Sequence, residues 1–387
     1  MIILFSVLFF LFPILSMPLI LLAFFNEKKI RYKKYYAFLI AVFAGILLFY
    51  FIPDSSKDLY RYYIIMNRLS IMSLNNFITY LTSRVEPLSN IYFYVFSKFS
   101  SINIIMFATT LISYGLIFYV LFEHQKKEKL ANLDFNIITI FALSVFYLVD
   151  DITGIRFCLG RLIFFVALYL DMYKNKRSIS TLILYTITPL IHSSCLIFVI
   201  IRVIITLLKN KYNIKTFLIL WFVSLSPTFI IKFANTFSNI PLFSSLGSKA
   251  EEYLSLNAGF YPMFILQIII MFFLFFVLLY TRKHKQDSNT KYINFVLIVL
   301  TIGLLFIKST SISTRFIRAG IIFSLPILME FIKMLKIKNK CVAYIVIILL
   351  SSASLLFQIS HLTVKISYGN LFDGGLLKNI FSLLSDN

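Results

Sequence analysis

The sequence predicts an all-α, polytopic integral membrane protein of about 12 transmembrane helices, within bounds of about 11 to 13, with interfacial helices on its outer face. Three observations predict it. Apolar side chains make up 60% of the 387 residues and charged ones only 14%, where a soluble domain carries about 25% charge. Mean hydropathy is +0.89. Apolar runs long enough, or nearly so, to cross about 30 Å of hydrocarbon recur along the chain, with short basic gaps between them. The 44 Phe and 23 Tyr exceed what one water-facing core could bury, so lipid must be the main solvent.

The formal charge of +21, from 37 Lys and Arg against 16 Asp and Glu, raises the question of nucleic acid. The cations sit in the gaps between apolar runs and form no basic domain, so no nucleic-acid partner is expected. Cys158, Cys195 and Cys341 each lie in an apolar run away from any partner. That argues against both a disulfide framework and a thiolate metal site.

The first run, 3–25, has no basic start and is too long for a signal-peptide core, so it reads as a spanning helix. Single crossings are expected at 36–53, 103–122, 135–149, 155–173, 217–235, 263–281, 292–308, 316–335 and 341–360. The run 178–208 is different. Basic gaps flank it at 174–177 and 209–215, and a single crossing would place them on opposite faces. Two short helices, broken around residues 189–194 where Pro189 removes a backbone donor, keep both gaps inside. The alternative is one long proline-kinked helix, which reverses the charge bias downstream. With the hairpin, both termini fall outside and the inner gaps collect most of the Lys and Arg.

The chain thus reads as one polytopic domain, residues 1–387, with long outer segments at 54–102 and 236–262 and an outer tail at 361–387. In the first segment Lys57, Arg61 and Arg68 share one arc of a helical wheel. Leu59, Tyr62, Tyr63, Met66 and Leu69 occupy the opposite arc, the pattern of a helix lying on a membrane surface. Glu86-Pro87 introduces a second short helix, 88–99, rich in Tyr and Phe.

Ionisable groups at or beneath the outer face remain for chemistry, since charge is costly there. Arg315 and Arg318 are three apart at the expected start of a spanning helix, placed either to clamp an anion or to reach lipid headgroups. Arg156 and Arg161 follow Asp150-Asp151, which either neutralise them in a structural salt bridge or leave them to a ligand. His192 sits at the inferred break beside Ser193 and Ser194. A lone histidine on an apolar helix is commonly a hydrogen-bonded core residue, yet broken membrane helices line cavities. The sequence contains no GxGxxG, no GxxxxGK[ST], no HExxH and no paired cysteines. Dinucleotide, P-loop and zinc chemistries therefore drop out, and neither cofactor nor metal is expected.

Four ordered elements add a resemblance: Asp58-Leu59-Tyr60-Arg61-Tyr62-Tyr63, Glu86-Pro87-Leu88, Gly154-Ile155-Arg156, and Leu190-Ile191-His192-Ser193-Ser194-Cys195-Leu196-Ile197-Phe198. Together they resemble the EpsG-like family, which is similar to the Wzy-type O-antigen and exopolysaccharide polymerases. The resemblance implies a glycosyltransferase, multi-pass in the bacterial inner (cytoplasmic) membrane, with its active site facing the periplasm; the want of metal-ligand spacing makes it metal-independent. It implies an undecaprenyl-diphosphate-linked oligosaccharide as donor and a lipid-linked repeat unit as acceptor, with membrane lipid and a chain-length regulator as further partners. Such a reaction needs cations at the departing diphosphate, for which Arg156, Arg315 and Arg318 are the candidates. His192, Asp58 or Glu86 would take the acceptor hydroxyl's proton, and the sequence leaves that choice open. Arg61 and Arg68 would guide the lipid head or glycan, with Tyr62 stacking on a sugar face.

Three competing readings stay on the table: a carrier for lipid-linked oligosaccharide, an O-antigen ligase, and a membrane acyltransferase. Carriers show matched halves with broken helices in corresponding places, and the inferred break at 189–194 has no counterpart. A ligase shares the polymerase chemistry. An acyltransferase using His192 would need a cytosolic donor to reach an outer histidine.

Overall fold

The computed structural model describes residues 2–51, 58–207, 262–284, 290–307, 309–365 and 379–380. Among these the regular structure is helical. Helices α1 (Ile2–Leu11) and α2 (Pro13–Asn26) divide the first apolar run, because Pro13 cannot continue a helix but readily starts one. Next come α3 (Ile30–Phe49), α4 (Asp58–Ser70), α5 (Leu74–Thr82), α6 (Pro87–Phe96) and α7 (Ile104–Glu128). The stretch after them forms α8 (Asn132–Val145), the short α9 (Leu148–Thr153) and α10 (Ile155–Leu168), which runs into a π-helical turn at Tyr169–Tyr173. A hairpin follows, α11 (Ile179–Ile191) and α12 (Leu196–Leu207). The last elements are α13 (Pro262–His284), α14 (Thr290–Leu305), α15 (Thr310–Phe323), α16 (Leu325–Met334) and α17 (Ile337–Lys365). The expected crossing at 217–235 and nearly all of 236–262 and 361–387 lie outside the described residues, as does Lys57.

Four helices are long and apolar enough to cross a membrane: Ile30–Phe49, Ile104–Glu128, Pro262–His284 and Ile337–Ser360. Several other expected crossings are shorter apolar helices, among them Asn132–Val145, Ile179–Ile191 and Thr290–Leu305. The expectation of one break is corrected. Breaks inside expected runs also fall at Phe12, at 146–147 and at Ser324, just ahead of Leu325-Pro326, while the one at Gly154 lies between two expected runs. Hydropathy averages over such interruptions, because a proline or glycine costs a run little apolar character while ending its hydrogen-bond ladder.

The described chain divides into two compact units. Residues 1–132, 147–162 and 356–387 form the first, and residues 133–146 and 163–355 the second. In the first, α3 packs along α7, and a Cβ at Gly45 would come within 2.8 Å of the Phe107 ring. Small residues allow such close approach where no water drives helices together. Helix α4 is amphipathic as expected. Leu59, Tyr62, Met66 and Leu69 are buried, while Arg61 and Arg68 are exposed. Burial pushes the Tyr63 phenol well above the ordinary tyrosine range, so it stays protonated and donates to Asn103 Oδ1 at 2.6 Å. Lys98 closes the C-terminal end of α4, its Nζ donating to the carbonyls of Leu69, Ser70 and Met72 at 3.2, 2.8 and 2.9 Å. A cation there also answers the negative end of the helix dipole.

In the second unit, Asp171 settles the question of the 178–208 run. One carboxylate oxygen accepts from Tyr185 Oη at 3.0 Å and from Arg202 Nε at 2.5 Å, and the other from Arg177 Nε at 3.2 Å. A continuous helix would hold residues 185 and 202 about 25 Å apart, farther than two side chains meeting at one carboxylate can span. The chain therefore turns back. Pro189 sits in the last turns of α11, His192 adopts extended backbone, and a 3₁₀ turn at Ser193–Cys195 leads into α12.

Helices α14 and α15 form a second close hairpin in this unit. A Cβ at Gly303 would lie 2.8 Å from Ile317 Cγ1 and 3.1 Å from Ile317 N. Gly303→Ala should therefore push α15 outward at Ile317, next to Arg318, at about 1–3 kcal/mol, the usual cost of overpacking. Thermal unfolding of the purified protein in detergent reads this out. Gly115→Ala is the control, since nothing lies within 4 Å of its Cβ position. It should leave the midpoint unchanged or raise it.

Candidate functional site

Two clusters of polar groups hold the residues that the sequence singled out, one in each unit. In the first unit three segments distant in sequence converge. Pro87 opens α6 with its ring at a position that needs no N–H, which leaves Glu86 as the N-cap residue. The Glu86 carbonyl is itself fixed, accepting from Ser89 Oγ at 2.9 Å and Asn90 Nδ2 at 2.7 Å. Its buried carboxylate meets Arg156 Nη1 at 2.6 Å. Arg156 stands in the first turn of α10, after the break at Gly154, and its Nε donates to Tyr62 Oη at 3.2 Å. The guanidinium also lies 5.0 Å from the centroid of the Tyr62 ring, a cation–π geometry.

Burial decides what these groups can do. The Arg156 side chain keeps 28% of its surface exposed, so one cation of this cluster remains reachable. Glu86 is engaged by that cation and would have to surrender the pair to act as a base, so its geometry suits orienting Arg156. Tyr62 is buried, its ring 4.9 Å from that of Phe93. The sugar-stacking role expected of it needs an open ring face, and the packing of Arg156 and Phe93 leaves it a supporting one. Asp58 pairs with Arg61 at 3.7 Å on the exposed side of α4, a contact of small energetic weight in high dielectric. Arg68 is exposed two turns further along.

The sequence offered Asp150-Asp151 as the countercharge for both arginines of α10. The structure divides them. Arg161 Nη2 meets Asp151 at 2.6 Å, with 0% and 4% of the two side chains exposed, whereas Arg156 turns to Glu86. The reason is helical phase: Arg156 and Arg161 are five residues apart and leave α10 about 140° from one another.

In the second unit, α15 begins at Thr310, so Arg315 and Arg318 sit beyond its first turn and not at its start. The polar residues before them are absorbed by packing, with Ser313 Oγ donating to the Gly303 carbonyl at 2.6 Å. Arg318 is only 8% exposed, Arg315 half-buried. Burial of Arg318 is at odds with snorkelling to headgroups. One partner is Gln267 on α13, 0% exposed; with its amide turned so that the oxygen faces the guanidinium, that oxygen accepts from Nε at 3.0 Å and Nη2 at 3.2 Å. Sequence reasoning passed over Gln267. The available signal was an isolated amide within Pro262-Met263-Phe264-Ile265-Leu266-Gln267-Ile268, where every neighbour is apolar.

His192 is buried at the tip of the α11–α12 hairpin, its backbone N–H donating to the Thr188 carbonyl at 3.1 Å. Phe198, six residues on, packs its ring 5.7 Å from that of Phe316, the neighbour of Arg315. The second arm of the hairpin thus rests against the turn that carries the arginine pair. The structure distributes the three arginine candidates over both units, Arg156 in the first and Arg315 with Arg318 in the second. Among the described residues no group of three His, Cys, Asp or Glu side chains is arranged to hold a metal ion.

A family model described as the EpsG family matches residues 54–371. That span contains both clusters and all four ordered sequence elements. No curated protein and no solved structure matches the chain.

Proposed function

The chain belongs to the EpsG family, and on that premise we propose a polysaccharide polymerase. Its reaction joins an undecaprenyl-diphosphate-linked glycan to a lipid-linked repeat unit at the periplasmic face of the bacterial inner membrane. An acceptor hydroxyl oxygen bonds to the anomeric carbon of the donor glycan. The bond from that carbon to the diphosphate breaks, its electron pair leaves with the lipid diphosphate, and the hydroxyl proton passes to a base. The transition state gains positive character at the sugar and negative charge at the diphosphate, so preorganised cations at the leaving group lower the barrier most.

The observation that carries this reading is Arg318, buried yet aimed by the neutral oxygen of Gln267, with Arg315 beside it on a helix packed against the His192 hairpin. Arg315 and Arg318 take the diphosphate. His192 is the base, since imidazole has the near-neutral affinity such a role needs. Arg156, oriented by Glu86 and Tyr62, takes anionic or hydroxyl groups of the second lipid-linked substrate. Arg61 and Arg68 on the exposed face of α4 steer lipid heads and glycan toward it.

Complementation of a polymerase-deficient strain tests the assignment. The parent chain should restore a ladder of glycan lengths, while His192→Ala and Arg156→Ala should leave mainly a single repeat on the lipid core at parental protein levels. Normal ladders from both variants would remove these residues from the mechanism. One observation favours a second reading, transport of lipid-linked oligosaccharide: the breaks at Phe12, Gly154 and Ser324 add to the one at His192, and discontinuous helices line substrate paths in carriers. Deleting a carrier or ligase removes all surface glycan, single repeats included, and that outcome would replace the polymerase reading.

A further inference from the structure

Asp171 receives more positive charge than it can cancel. One carboxylate oxygen accepts from Arg177 Nε at 3.2 Å and the other from Arg202 Nε at 2.5 Å. The carboxylate side chain is only 2% exposed, and one guanidinium would neutralise it. Two cations against one anion leave the cluster at +1, and no second carboxylate among the described residues pairs with either arginine. Guanidinium groups gathered on one carboxylate also repel each other, a cost that a second anion between them would offset. A topology signal needs only cations in water. Arg202, 14% exposed within the apolar helix α12, goes beyond that need.

The cluster is held in place before any ligand arrives. Asp171 lies in the π-helical turn Tyr169–Tyr173, a kind of interruption frequent at functional sites. Asn175 turns the chain with a left-handed φ of 53°, which asparagine tolerates. Lys176 then donates its N–H to the Leu170 carbonyl at 2.9 Å, and its own carbonyl accepts from Thr181 Oγ1 at 2.9 Å. Arg202 Nη1 donates to Thr206 Oγ1. With both Nε atoms on Asp171, Nη1 and Nη2 of Arg177 and Nη2 of Arg202 have no hydrogen-bond partner among the described residues. Apolar side chains are exposed at the same end of the hairpin, Ile179 and Leu182 on α11 and Val203 and Leu207 on α12. An anion carrying hydrocarbon fits both features, since a soluble phosphate would leave the apolar surface unused. We propose that Arg177 and Arg202, positioned by Asp171, bind the phosphate of an anionic phospholipid at the end of the hairpin away from the His192 tip. The basic gap 174–177 is expected on the inner side, where anionic headgroups attract such segments. The polymerase reading is not needed for this site.

Titration of phosphatidylglycerol into the purified full chain in detergent tests it, with bound lipids counted by native mass spectrometry and thermal unfolding followed on each variant. The parent should hold one phosphatidylglycerol at least tenfold more tightly than phosphatidylcholine. Arg177 is 63% exposed, so Arg177→Gln should leave the unfolding midpoint unchanged. It should weaken retention ten- to hundredfold, the range for charge-assisted hydrogen bonds. Parental retention in that variant would overturn the proposal, whatever Arg202→Gln does. Asp171→Asn raises the cluster's charge yet should weaken binding, because the guanidinium groups lose their alignment. Binding as tight as the parent's, or tighter, would mean that charge alone decides and would overturn the site. Lys338→Gln, an exposed cation at the start of α17, should retain lipid like the parent. An equal loss there would reduce the effect to diffuse attraction and defeat the proposal. Neither millimolar inorganic phosphate nor farnesyl diphosphate should displace the lipid. Displacement by the first would assign the site to a soluble anion, by the second to a prenyl substrate, and either result overturns the phospholipid assignment.

Discussion

Arg318→Ala should lower the rate of glycan polymerisation by about 100- to 1,000-fold, the loss seen when one preorganised group is removed from a developing oxyanion. The size of the effect comes from where the charge sits. Arg318 is buried and aimed by Gln267, so its field is weakly screened and needs no reorganisation when charge reaches the diphosphate. Arg318→Lys should recover little. Lysine offers a point charge with no planar fork, and it loses both contacts with the Gln267 oxygen. Arg315, half-buried, should cost less when removed, because water screens part of its charge. The measurement is incorporation of a labelled lipid-linked repeat by the purified protein, with unfolding midpoints recorded in parallel. Arg318→Ala at near-parental rate and stability would end the case for a guanidinium at the leaving group.

Arg161→Ala should destabilise the protein by about 3–5 kcal/mol, the cost of leaving one member of a buried ion pair behind. Asp151 and Arg161 meet at 2.6 Å with almost no exposed surface, so the surviving carboxylate loses its cation where water scarcely reaches it. The pair also fastens α9 to α10 across the Gly154 break, the turn from which Arg156 projects. Loss of the pair therefore carries over to the Arg156–Glu86 contact. Removing both charges, as Asp151→Asn with Arg161→Met, should recover most of the stability, because the penalty belongs to the orphaned charge and not to the missing attraction. Unfolding in detergent distinguishes the cases. A single variant costing under about 1 kcal/mol would mean that water reaches the pair in the working protein.

Much of this was legible in the chain before any coordinates. The arc of Leu59, Tyr62, Met66 and Leu69 opposite Arg61 and Arg68 appears on α4 as the periodicity requires, because a helix with one face packed and one exposed must sort its residues between them. The hairpin around Pro189 followed from charge: basic gaps on both sides of one apolar run demand a return, and Asp171 is the place where its arms are joined. Family membership was legible as well, in four short elements of fixed order.

Composition and spacing determined that this is a helical membrane chain of the EpsG family, since hydropathy, periodicity and motif order are properties of neighbouring residues. Tertiary structure alone decided which charges are partnered. Arg156 passes over the aspartates beside it for Glu86, Arg318 finds an amide on another helix, and breaks at Phe12 and Ser324 fall inside runs that hydropathy reads as continuous. Desolvation is the reason. A charge taken out of water must be answered by whichever group the packing brings within about 3 Å, and that distance is set by how helices cross, not by how far apart residues stand along the chain.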